Sequence, residues 1–588
     1  MKKWLRRFEH FLKVSFAAGG RIMASIDAVK SILNQIYGIE NGALVFKRIY
    51  ALMEKFPGRE KKKQEYFSQE DVVLITYGDS LCSDAESPLK SFQTFASKYF
   101  KDVFSTIHIL PFFPYSSDDG FSVKDFYSVN PELGTWEDVK SLGNDFQLMF
   151  DYVLNHISSK SKWFEKYLCE EKGFEDLAIE TDPLSDLSRV TRPRSLPLLT
   201  EFTKKSGKNV NVWTTFSSDQ IDLNFKSIDV LEKMVDVLLF YVSRGATILR
   251  LDAIAYLWKE IGTNCVHLRQ THDMVKLFRC ILDIVAPDVM ILTETNVPHE
   301  ENISYFGDGR NEAQMVYNFT LPPLLFYSFV MEDSTVLSNW AKGLYLKQET
   351  NTFFNFTASH DGIGVRPLEG ILPEDEIKKL IEIVKENGGR VSCKRNPDGS
   401  ESPYEMNITY VDALLNKKGI DRYHSDRFLA SQAIQFVLPG VPAVYIHSIL
   451  GSHNWEEGVR QTGRARTINR EKLLLDNITK QLGDPGSFRS KIFFPYIKLI
   501  KIRKKQPAFH PNSFFEILKL DKRIFAVSRY CNDQIIYALT NISSKNVSVS
   551  LSEHTKELIL KDIISGKTFA ANSLDLNPYQ FVWLAAKK

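Results

Sequence analysis

Paired cysteines are missing from this sequence. Its six cysteines, Cys82, Cys169, Cys265, Cys280, Cys393 and Cys531, are scattered, with neither a CxxC pair nor a metal-ligand spacing. That usage fits a reducing compartment, and a cytoplasmic location is expected. No segment is apolar for the roughly 18 residues that a membrane helix needs. The basic stretch Met1 to Arg7 resembles the opening of a signal peptide. Glu9, His10 and Lys13 interrupt the apolar region that should follow, so the expectation is an amphipathic helix or a start at Met23. Charge of either sign is also lacking in excess: 74 basic and 72 acidic residues leave a net charge of +2. Neither a nucleic-acid nor a membrane-surface partner is expected from that balance. There is no glycine-rich phosphate loop, no metal motif, no internal repeat and no low-complexity tract, and neither cofactor nor metal is expected.

What is present is a long chain of 588 residues, 44% hydrophobic and 25% charged, ordinary for a globular protein but too long for one simple domain. Residues 24–66 read as helical, ending in the charge run Arg59 to Lys63. Short apolar runs rich in β-branched residues follow: Val72 to Tyr77, Thr106 to Leu110, Gln147 to Val153, Thr247 to Leu251, Val289 to Thr293 and Phe353 to Thr357. Each ends in polar or Gly/Pro residues, as buried strands do. Helical patterns such as Ile228 to Val242 and Thr271 to Ile284 lie between them. This alternation predicts parallel βα units. Polar residues cluster just after the strand runs, where a closed barrel builds its active site. The fold class expected is α/β, a (β/α)8 TIM barrel with an inserted loop subdomain and a C-terminal antiparallel β domain. The expected divisions are a helical extension over 1–66, barrel over 67–156 and 226–511, an insertion over 157–225 and the β domain over 512–588. A second irregular stretch with mobile loops is expected over 366–425, where Asn396-Pro397-Asp398-Gly399 signals a turn. The tail predicts strands at Arg523 to Ser528, Gln534 to Leu539, Val547 to Leu551 and Phe581 to Leu584.

Three acids stand at strand ends: Asp252 after Ile248 to Leu251, Glu294 after Ile291 to Thr293, and Asp361 after Ala358 to His360. In a parallel barrel such ends converge. Cleaving a glycosidic bond needs one carboxylate to attack the sugar carbon and one carboxyl to protonate the leaving oxygen. A further negative charge stabilises the oxocarbenium-like transition state. Arg250 lies two residues before Asp252 and shares its face of the strand. A pair between them is expected to keep Asp252 ionised.

Asp151-Tyr152-Val153-Leu154-Asn155-His156, Leu249-Arg250-Leu251-Asp252, Thr293-Glu294 and Ser359-His360-Asp361 resemble, in order, the four strand-end motifs of the α-amylase superfamily, glycoside hydrolase family 13. The resemblance implies Asp252 as nucleophile, Glu294 as general acid/base and Asp361 as transition-state stabiliser, with Arg250, His156 and His360 holding the glucosyl ring. Leu110-Pro111-Phe112-Phe113, Ser117-Asp118-Asp119-Gly120-Phe121, Leu321-Pro322-Pro323-Leu324, His360-Asp361-Gly362-Ile363-Gly364 and Ile468-Asn469-Arg470 look like the sucrose phosphorylase subfamily. By that likeness Asp118, Phe121, Phe216, Gln220 and Arg466 shape the donor glucose subsite, and Arg194 and Tyr404 sit on two mobile loops that contact phosphate or the acceptor.

Within the subfamily, Val190 to Leu199, Thr293 to His299 and Ser402-Pro403-Tyr404-Glu405 are similar to the members acting on glucosylglycerate. Ser402 and Glu405 stand where the sucrose enzymes carry Asp and Gln, a departure that weakens the case for a fructose acceptor. Phosphate and glycerate are both anions, and Arg194, His299 and Arg466 are the donors expected for them. The activity implied is reversible phosphorolysis by double displacement, with a small-molecule glucoside, inorganic phosphate and glucose 1-phosphate as partners. Sucrose or sucrose 6-phosphate phosphorolysis is the nearest alternative. A hydrolase or transglucosylase is separated by phosphate consumption. An inactive amylase-like binding subunit would have lost one of the acids, and all three are present.

Overall fold

Eight short runs rich in β-branched and aromatic residues become eight parallel strands that close on themselves. They are β1 (Val73–Thr76), β2 (Thr106–Ile109), β3 (Gln147–Val153), β4 (Ala246–Asp252), β5 (Met290–Thr293), β6 (Met315–Tyr317), β7 (Thr352–Phe356) and β8 (Val441–Tyr445). Each pairs with its sequence neighbours, and β8 closes onto β1 through Val73 opposite Ala443. The strands are buried along nearly their whole length, which is why they read as continuous apolar runs rather than as alternating ones. The computed structural model describes residues 19–59, 65–344, 346, 349–396, 398–417 and 421–586. The signal-like stretch before Lys13, residues 60–63 of the charge run and Pro397 lie outside the described residues.

Six strands coincide with the sequence reading to within a residue or so at each end. The reading missed β6, which is only three residues long, and β8, whose Pro442 interrupts the apolar run. Helices Ile228–Ser243 and Arg269–Val285 pack outside the barrel.

The region expected to be helical over 24–66 holds two helices, Gly19–Tyr37 and Ile39–Lys55. Gly38 separates them at φ 82°, a conformation that glycine adopts without steric cost. The second helix stops at Phe56, which is extended ahead of Pro57, as a residue before proline prefers. Val29, Leu33, Val45, Ile49 and Met53 are buried in the same apolar core as the barrel. Arg48 ties this hairpin to the barrel helix through Asp229 at 2.5 Å and Glu232 at 2.8 Å.

Residues 157–225 hold a short helix, Lys162–Leu168, and two small antiparallel pairs: His156–Ser158 with Gln220–Asp222, and Leu199–Thr203 with Asn209–Trp213. The stretch 366–425 is not irregular. It carries helix Glu374–Glu386, and Arg390–Arg395 and Glu401–Asn407 form a hairpin extended by Ile363–Gly364. Beyond residue 513 a six-stranded antiparallel sheet forms, from Phe514–Ile517 to Phe581–Ala586. Its buried Arg529 donates to Val437 O at 2.7 Å and His510 O at 2.6 Å, which docks the sheet on the barrel's helix His424–Val437. The six cysteines are unpaired. Among the described residues no helix is long and apolar enough to cross a membrane.

Candidate active site

An arginine inside a barrel must be compensated, because a buried unpaired charge costs several kcal/mol or more. Arg250, on β4, is 2% exposed and touches three carboxylates. Its Nη1 donates to Asp252 at 2.8 Å and to Asp151, the residue opposite it on β3. Its Nη2 lies 3.9 Å from Glu294. Asp151 is bonded in turn to His108 Nε2 at 2.7 Å. Burial pushes the Asp151 carboxyl up, but Arg250 and His108 outweigh it and hold it below its ordinary range. From sequence, Asp151 is legible only as part of a motif, without a role, and His108 is not named. The signal was available: each is a polar residue inside an apolar strand, which implies a buried partner.

One guanidinium therefore spans Asp252 and Glu294. Burial raises the Asp252 carboxyl to about 6, with Arg250 opposing that rise. The pair expected from sequence is present, but burial outweighs it. Burial raises Glu294 further, to about 7, and the neighbouring Asp252 and Asp361 charges add to the rise. Asp361 goes the other way: Arg466 and Arg470 overcome its burial and hold it below its ordinary value. The acids of one pocket are thus pushed in opposite directions, Asp252 and Glu294 up and Asp361 down. Just after Asp252, Ala253 adopts a left-handed conformation (φ 50°), which costs a non-glycine residue energy and recurs at functional sites. The turn aims its N–H at Glu294 Oε2, 3.0 Å away.

The wall of the pocket is aromatic. Phe121 stacks on His360, with ring centroids 4.7 Å apart and planes 8° from parallel. His156 sits against Phe216 at 5.3 Å, and its Nε2 lies 3.0 Å from Phe121 O and 3.1 Å from Gln220 Nε2. Burial lowers the proton affinity of His156 and lowers that of His360 strongly, so both rings are neutral. Asp118 enters from a short 3-10 turn, Asp118–Gly120, whose Gly120 has φ 111°. A Cβ there would lie 2.4 Å from Pro111 O. Arg470 braces this turn through Asp119 at 2.7 Å and the strand-end turn through His360 O at 2.9 Å. Asn469 donates to Ser359 O and Asp361 O at 3.1 and 3.0 Å.

Arg194, Tyr404 and Arg466 also line the pocket. Arg466 contacts Asp361 at 2.7 Å and Glu405 at 2.6 Å. Arg194 lies 5.5 Å from the Tyr404 ring and 3.7 Å from Glu405. Every site residue expected from sequence lines this pocket except Arg250, which pairs with Asp252 from β4, and His299. His299 is not brought there. It lies on the short helix His299–Ile303, with its ring 5.8 Å from Phe353, so it is withdrawn from the expected set of anion donors. Tyr256, Asn296 and Phe319 line the pocket and were not expected. Beneath it, the Lys259 ammonium bonds Asp222 at 2.5 Å and Asn155 at 2.7 Å, pinning the insertion to the barrel.

Strand-end carboxylates gathered at the C-terminal mouth of a parallel barrel, beside an aromatic wall, define a barrel enzyme of the kind that works on glycosidic bonds. A family profile for the alpha-amylase catalytic domain matches residues 97–362. The chain is 43% identical over 561 residues to the glucosylglycerate phosphorylase of Escherichia coli, covering 95% of this chain and 99% of that one. It is 48% identical over 531 residues to the glucosylglycerate phosphorylase of Spirochaeta thermophila, covering 89% and 90%. Among solved structures, sucrose 6F-phosphate phosphorylase from Thermoanaerobacter thermosaccharolyticum superposes with a TM-score of 0.71 at 28% identity, covering 82% of this chain and 96% of that one. The chain belongs to the glycoside phosphorylases of the α-amylase family.

Proposed function

We propose that this enzyme carries out the reversible phosphorolysis of glucosylglycerate to α-glucose 1-phosphate and glycerate, with retention of configuration. The observation that carries the chemistry is the unequal hold of one guanidinium on two buried carboxyls: Arg250 donates to Asp252 at 2.8 Å and only approaches Glu294 at 3.9 Å, so burial raises Glu294 further than Asp252. Environments that push two carboxyls apart assign one as nucleophile and the other as acid. Asp252 attacks the anomeric carbon as the glycosidic C–O bond breaks, and the Glu294 proton goes to the leaving glycerate oxygen. A β-glucosyl ester on Asp252 results. A phosphate oxygen then attacks the same carbon, the ester bond breaks, and Glu294 recovers a proton from phosphate. Asp361 supplies fixed negative charge to the oxocarbenium-like transition states, and His156, His360, Asp118, Phe121, Phe216 and Gln220 seat the glucosyl ring. Glycerate as acceptor is supported by the two relatives named above. The unpaired cysteines support a cytoplasmic location.

The test is glucose 1-phosphate release from glucosylglycerate, sucrose and sucrose 6-phosphate, each with and without inorganic phosphate. Phosphate-dependent release from glucosylglycerate alone is expected. Release from a sucrose substrate alone would overturn the acceptor assignment, and free glucose independent of phosphate would overturn phosphorolysis itself.

A further inference from the structure

The acceptor side of the pocket holds two arginines and one buried carboxylate that reaches both. Glu405 is 1% exposed. Its Oε1 accepts from the Gly362 N–H at 2.5 Å and from Arg466 Nε at 3.1 Å, and its Oε2 accepts from Arg466 Nη2 at 2.6 Å. The same Oε2 lies 3.7 Å from Arg194 Nη1. The two arginines are not equivalent. Arg466 is compensated twice, by Glu405 and by Asp361. Arg194 has Glu405 as its one ion-pair partner among the described residues, at a separation longer than a hydrogen bond. It comes from a segment, 191–198, without regular secondary structure, and its guanidinium lies over the face of Tyr404.

We propose that Glu405 determines how strongly the acceptor site holds an anion, by competing with the incoming phosphate or carboxylate for Arg194. The proposal rests on the phosphorolysis reading, in which two different anions must occupy this region in turn. Arg466 is locked between two carboxylates and makes a poor anion donor. Arg194 is the cation able to change partners. When it turns to an entering anion, Glu405 keeps Arg466 and the Gly362 N–H, so no buried carboxylate is stranded by the exchange. When the anion departs, Glu405 takes Arg194 back. The apparent affinity for any anion is reduced by the fraction of time that Arg194 spends on Glu405. An anion site built without such a competitor would bind its first anion more tightly and release it more slowly. A neutral acceptor does not draw on Arg194 in this way and escapes the competition.

The substitution Glu405→Gln keeps an oxygen for the Gly362 N–H and for Arg466 while removing the charge. Steady-state rates are measured with inorganic phosphate as the varied nucleophile, and with glycerate and glycerol as acceptors from glucose 1-phosphate. The proposal expects the KM for phosphate and for glycerate to fall by about threefold to tenfold, with the fall confined to the anionic pair. A folded variant whose phosphate KM is unchanged or higher, or whose glycerol KM falls equally, would overturn it. If E405Q does not fold, Arg194→Gln carries the test: its phosphate KM should rise about tenfold or more, and an unchanged value contradicts the proposal. A wild-type enzyme that consumes no phosphate would instead remove the phosphorylase reading, a failure visible before any variant is made.

Discussion

Asp252 and Glu294 differ by one methylene, and their surroundings separate them chemically. Arg250 donates directly to Asp252 and only approaches Glu294 at 3.9 Å, so the attraction that opposes burial is stronger on the aspartate. The rate should follow both groups. The kcat/KM for the glucoside rises as Asp252 loses its proton near 6 and falls as Glu294 loses its proton near 7, giving a narrow bell between them. A pH–rate series checks this, and a flat profile from pH 5 to 8 would contradict the assignment. The same environment has a cost in stability. The folded chain keeps the Glu294 proton up to about 7, whereas an unfolded chain loses it near the ordinary 4.5. The folded state therefore binds more protons between those values, and stability falls as pH rises through the window. Glu294→Gln removes that penalty and is expected to raise stability at pH 8 by up to about 3 kcal/mol and by little at pH 4. Thermal or urea unfolding at the two pH values reads the difference.

At the level of elements, what could be read from sequence depended on length and on polar punctuation. Strands such as β3 and β4 are seven residues long and mostly apolar, and polar site residues mark their C-terminal ends, Asp252 closing β4 and His156 following β3. They were legible for that reason. The strand β6 offers only Met315, Val316 and Tyr317, too few for a period to show, and Pro442 disguises β8 as a turn. The three acids and their histidines were visible because each follows a strand. Glu405 was visible only as a departure from a family pattern, because its role depends on a hairpin returning it to Arg466, 61 residues later in the chain. Lys259 is a second contact of this long-range kind. It joins the loop after β4 to Asp222 of the insertion and Asn155 after β3. Lys259→Met leaves the fully buried Asp222 with the hydrogen bonds from Thr215 and Asn155 but without its cation, and is expected to cost about 3 kcal/mol. Urea unfolding tests it, and a loss below 1 kcal/mol would show that the contact is dispensable.

Across the whole molecule, the site divides between two kinds of scaffold. The barrel supplies Asp252, Glu294 and Asp361 from the ends of β4, β5 and β7, positions fixed by ring closure. The excursions from the barrel supply Arg194 and Glu405, from the insertion and the 390–407 hairpin. In the proposed reaction the bond-breaking groups stand on the barrel, and the groups that meet the acceptor are carried by excursions from it, the kind of segment that varies most on a shared scaffold. The N-terminal helices and the C-terminal sheet brace the barrel from outside, through Arg48 and Arg529. The central claim, that Asp252 attacks first and phosphate second, is tested most directly by the anomeric configuration of the glucose 1-phosphate formed. Proton NMR of a short reaction with an α-glucoside and phosphate reads it before any mutarotation-like ambiguity arises, because the phosphate ester is configurationally fixed. Two displacements predict the α-anomer. The β-anomer would mean a single displacement by phosphate, and Asp252 would not be the nucleophile.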